Sequence, residues 1–92
     1  MSDTVDQMQR EFFRTLQTVD LRIEAAGLVE ALDEFRGELA GGAQGIRRVV
    51  LEQTLIPETS RSLELVREEL ARRRDDAVAK VAKVAKEGSS DG

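Results

Sequence analysis

One six-residue stretch decides what this chain can become. Residues 40–45 read Ala-Gly-Gly-Ala-Gln-Gly. Glycine in a helix interior costs about 1 kcal/mol, so three glycines in six positions end any helix that enters. Glycine is also the usual residue just past a helix C-terminus. On both sides of this break apolar residues recur with helical period. A short connection between two long helices returns the chain antiparallel to itself. The expected fold is therefore all-α: a long antiparallel helical hairpin, or a three-helix bundle if Pro57 breaks the second helix.

The first periodic segment spans about residues 4–39. Val5, Met8, Phe12, Leu16, Val19, Ile23 and Ala26 recur at steps of three and four, the stripe of one helix face. Thr4 and Gln7 suit a capping box at its start. After Gly27 the stripe resumes as Leu28, Leu32, Phe35 and Leu39 in a shifted phase, which predicts one helix with a defect or a change of packing partner. The second segment spans about residues 46–87. Here Val49, Ile56, Leu63, Leu70, Ala77 and Val84 are each seven apart, and the phase is unbroken across Pro57. Proline removes a backbone donor and crowds the carbonyl four residues back, so a kinked rod is expected, with a true break at Pro57 as the alternative. Residues 88–92 are expected to be a disordered tail.

Composition removes most chemistries. The 92 residues include no His, Cys, Trp or Tyr, three Phe and a net charge of −4. Histidine general bases, thiol nucleophiles and Cys/His metal sites are excluded, and no cofactor is expected. An acidic chain with three aromatic residues is a poor nucleic-acid binder. No apolar run approaches the roughly 20 residues that span a bilayer, and the N-terminus has no secretory pattern. Membrane binding is therefore not expected, and a cytoplasmic location is the default. Residues 1–45 carry net −5 and residues 46–92 net +1, an asymmetry that suits antiparallel pairing.

No motif points to catalysis. The glycine-rich stretch lacks the Lys-Ser/Thr of a phosphate-binding loop and reads as a turn. The adjacent acids Asp33/Glu34, Glu68/Glu69 and Asp75/Asp76 diverge by about 100° on a helix and do not converge on one site. Two features remain as candidate protein contacts. Arg72, Arg73 and Arg74 form the densest basic cluster, suited to bidentate carboxylate contacts. Phe13, one position off the first apolar stripe, is a candidate aromatic anchor.

Residues 49–63, with Leu55-Ile56-Pro57-Glu58 followed by Leu63, Val66 and Leu70, resemble the middle helix of tubulin-binding cofactor A. Glu52-Gln53-Thr54 and Pro57 are also similar to the start of the second coiled-coil helix of β-type prefoldin subunits. The likeness covers about a quarter of the chain. It departs from cofactor A in a first half that has no Lys and in the missing Tyr-Asp at the second helix. Either resemblance implies a small helical chaperone whose partner is tubulin or an unfolded cytoskeletal chain. A helical chain of this size buries only about 60–65% of its surface. The expected function is thus non-catalytic protein binding, as a chaperone-like or assembly subunit. The alternative is a structural coiled-coil subunit that folds by homo- or hetero-oligomerising with sister subunits.

Overall fold

The computed structural model describes the backbone of residues 2–90 and the side-chain surroundings of residues 3–84. The chain is all-α. Helix α1 (Ser2–Thr15), α2 (Thr18–Ala40) and α3 (Gly45–Val50) are followed by a π-helical turn (Leu51–Leu55) and α4 (Ile56–Ser90). Helix α4, 35 residues long, is a rod of about 52 Å at about 1.5 Å per residue. Both α1 and α2 pack on it, and the whole is an elongated body of 70 × 29 × 16 Å.

The glycine-rich turn forms as expected, and its geometry is that of a Schellman cap. The Ala43 N–H donates to the Glu38 carbonyl and the Gly42 N–H to that of Leu39, satisfying the last carbonyls of α2. Gly42 takes a φ of 101°, and Gly45 enters the next helix at 64°. Both angles lie in the left-handed region open to glycine at little cost. Arg47 clamps the closing turn through two hydrogen bonds to the Glu38 carboxylate.

The single helix expected over residues 4–39 is instead two. The chain opens at Leu16 and Gln17, where Gln17 is extended at φ −70°, ψ 155°. Local chemistry supports the break: the Thr15 hydroxyl donates to the Phe12 carbonyl at 2.6 Å, and the Leu16 N–H reaches back only to Phe13. Such short-range bonds offer the backbone an alternative to helix continuation. Asp20 in the first turn of α2 favours a new start through the helix dipole. Gly27, the expected defect, lies inside an uninterrupted α2. Helix α1 starts at Ser2, so Thr4 is inside its first turn rather than at its cap.

The topology follows from the contacts. Asp6 meets Arg61, and Arg14 meets Glu69, so α1 runs parallel to α4. Thr18 meets Arg73, while Leu32 and Asp33 face Ser60 and Leu63 across a groove, so α2 runs antiparallel to α4. The third helix therefore arises at Gln17 and not at Pro57. Around Pro57 the backbone stays helical, with Leu51 and Ile56 both in the right-handed region. The Ile56 N–H bonds the Leu51 carbonyl, five residues back. This widened turn is where the rod takes up the donor lost at Pro57. Helix α4 continues to Ser90, three residues into the expected tail; Asp91 and Gly92 lie outside the described residues.

Burial also departs from the expected stripe. The core is Phe13, Leu21, Leu65 and Val66, with Leu16, Ala25, Leu28 and Leu70 packed around it. On α2 the inward face is Leu21, Ala25, Leu28, Leu32, Phe35 and Leu39, one continuous heptad-like run that begins before Gly27. Val5, Met8, Phe12, Val19 and Ile23 point to solvent. Two apolar stripes therefore overlapped in phase, and α4 buried the second.

Candidate interaction surface

The three consecutive arginines have three different fates. Arg73 is half-buried and reaches across to the C-terminal end of α1. One of its guanidinium nitrogens, Nη2, donates to the carbonyls of Phe13 (3.1 Å), Arg14 (3.2 Å) and Leu16 (2.7 Å). Nη1 donates to the Thr18 hydroxyl, and Nε to the Glu69 carboxylate. The last carbonyls of α1 have no partner within their own helix; Arg73 supplies one from α4. It is a clasp for the α1–α2 turn.

Arg72 is tied to Glu69 at 2.6 Å and to Asp76 at 3.1 Å. Glu69 is buried, and the Arg72 hydrogen bond, seconded by Arg73, holds its carboxyl below the usual value despite the opposing cost of burial. Arg74 is exposed and makes no ion pair among the described residues. The basic cluster does not form a single patch. Arg73 ties α4 to the end of α1, Arg72 is exposed but paired within α4, and Arg74 is exposed without an ion pair among the described residues.

Phe13 requires a correction. It is only 5% exposed and sits in the core, whereas Phe12 is 58% exposed. The rings meet at a centroid distance of 5.9 Å, tilted by 57°. Adjacent helical residues diverge by about 100°, so only one of the pair can face α4. The aromatic available to a partner is Phe12, beside Val5 and Met8 on the outer face of α1.

The second exposed apolar surface lies at the far end of α4. Hydrogen bonds and ion pairs from α1 and α2 reach no further along α4 than Arg73 among the described residues. Beyond that point α4 projects as an arm. Val78, Val81 and Val84 on it are more than 60% exposed, and Arg74, Ala77, Val78, Val81 and Ala82 form an open apolar strip. The sequence showed these valines but not that the other helices stop short of them. Exposed apolar area of this kind marks an interaction surface more often than it is incidental.

No helix among the described residues is long and apolar enough to cross a membrane, and none of their acidic clusters is placed to hold a metal ion. No family model, curated protein or solved structure matches the chain. The fold and its surfaces define an all-α protein in which α1 and α2 pack on α4, with apolar residues of α4 exposed beyond Arg73.

Proposed function

We propose that this chain is a non-catalytic, protein-binding helical subunit of an assembly, completed by another chain that packs on its arm. The observation that carries this reading is the outward Val78, Val81 and Val84 on an arm that continues the register of Leu63 and Leu70. A helix seam of this spacing gains most of its stability from a facing helix. The charged rims set orientation more than affinity. A cytoplasmic location is the default part of the same proposal. The resemblance of residues 49–63 to tubulin-binding cofactor A makes αβ-tubulin the first partner to try. The unbroken heptad on α4 favours, as a second reading, a structural coiled-coil subunit joined to copies of itself or to sister chains.

Size-exclusion chromatography with light scattering separates these readings, run on the chain alone and mixed with αβ-tubulin. A mass increase on mixing supports the cofactor-type role. A discrete oligomer of the chain alone that Val81→Asp disperses supports the structural subunit. A stable monomer that ignores tubulin, and whose behaviour Val81→Asp leaves unchanged, counts against both.

A further inference from the structure

Among the described residues, the arginines fall into two sets. Arg10, Arg14, Arg47, Arg48, Arg61, Arg72 and Arg73 are each within ion-pair distance of a carboxylate. Arg22, Arg36, Arg67 and Arg74 are not. All four line the cleft between α2 and α4, in two adjacent stretches that share Arg67. Their spacing is regular. Arg22, Val29 and Arg36 are seven apart on α2, and Ser60, Arg67, Arg74 and Val81 are seven apart on α4, so each set shares a helix face. The floor is apolar, with Leu32, Leu63, Leu70, Ala71 and Ala77. The carboxylates facing it are Asp33 and Glu64, and Glu64 is already hydrogen-bonded to Arg61. Arg73 also borders the groove, but its donors are committed to Glu69 and to the end of α1.

A chain of net charge −4 thus keeps its free guanidinium groups in one helix-lined furrow. We infer that the α2–α4 groove is a docking site for an acidic amphipathic helix of a partner protein, an inference that rests on the protein-binding reading above. Heptad-spaced arginines flanking an apolar floor complement a helix with apolar residues on its seam and Asp or Glu beside it. Charge complementarity specifies the occupant, since a basic helix would face four unneutralised cations. The furrow from Ser60 to Ala77 spans about 26 Å at about 1.5 Å per residue, room for a helix of about five turns. Its far end runs onto the apolar strip of the arm.

The probes are two fluorescently labelled synthetic 21-residue helices with Leu at their a and d positions. One carries Glu and the other Lys at the e and g positions. Anisotropy titration against the full chain is expected to show the Glu helix binding at least about tenfold more tightly, with the advantage shrinking as salt rises. The double variant Arg67→Glu/Arg74→Glu, shown by circular dichroism to remain helical, is expected to reverse the preference. Equal binding of both helices, or indifference to the double variant, overturns the groove. If the helices then bind only through the Val81 strip, the protein-binding reading survives without it. No binding of either helix also overturns the groove, and leaves the tubulin and self-assembly tests of that reading standing. Self-association of the chain that the double variant abolishes assigns the groove to a second copy, and overturns the foreign partner.

Discussion

Arg73 and Glu69 are joined four residues apart on α4 by a 2.8 Å hydrogen bond from Nε to Oε2. The same guanidinium closes the end of α1 on its other side. A helix terminus on one element is thereby held by a charged pair on another, at the point where the chain reverses. The pair couples the Leu16–Gln17 break to the core immediately beneath it.

Removing either partner should therefore loosen that reversal. Glu69→Ala leaves the half-buried Arg73 without its carboxylate and should cost about 2–3 kcal/mol. Arg73→Ala should cost a similar amount by exposing the α1 carbonyls. Chemical denaturation measures both, and the double variant should lose less than the sum, because the two act as a unit.

Acid should find the same joint. The Glu69 carboxyl is held below its ordinary value of 4.5, and Asp6 is lowered by Arg61 in the same direction. Between the folded and unfolded values the unfolded chain binds more protons, so stability there rises with pH. The contribution is complete above the unfolded value and is lost as pH falls through the folded one. Denaturation midpoints should therefore be steady near neutrality and decline below about pH 4.5. Glu69→Gln should show a shallower acid decline than the parent chain.

The phase of α2 can be checked with two residues that sequence periodicity alone ranks in the opposite order. Leu21 is fully enclosed, whereas Ile23 is 66% exposed. Leu21→Ala should cost about 3 kcal/mol through lost burial and the cavity left behind. Ile23→Ala should fall within about 0.5 kcal/mol of the parent.

Two glycines should respond in opposite senses. Gly42 holds a φ of 101° in the turn, so Gly42→Ala should destabilise by about 1–2 kcal/mol. Gly27 is helical, and an added methyl would meet no atom within 4 Å. Gly27→Ala should stabilise by up to about 1 kcal/mol. Thermal melts of the two variants should shift in opposite directions.

Pro57 follows the widened turn, which already takes up its missing donor. Pro57→Ala should therefore stay within about 1 kcal/mol of the parent, since a regained hydrogen bond is offset by a freer unfolded chain. A gain of about 3 kcal/mol would mean that the proline strains the rod.

The amino-acid sequence by itself determined the local layout. Residues 40–45 had to be a turn, because three glycines in six positions cost a helix more than it can recover there, and the spacing of Leu63 and Leu70 had to be helical. The composition likewise confined the chemistry to acids, amides, hydroxyls and cations. What only the tertiary structure decided was which of two overlapping apolar stripes went inside, and that burial chose between Phe12 and Phe13. Both stripes satisfy helical period equally well, and periodicity is a property of one helix, whereas burial needs a second surface. The break at Gln17 is of the same kind. Its local signals, Thr15 and Thr18, are weak, and the donor that caps the end of α1 comes from Arg73, more than fifty residues further along the chain. An arginine run looks the same in sequence whether it holds a fold or faces a partner. Only the positions of Glu69 and the α1 carbonyls separate Arg72 and Arg73 from Arg74.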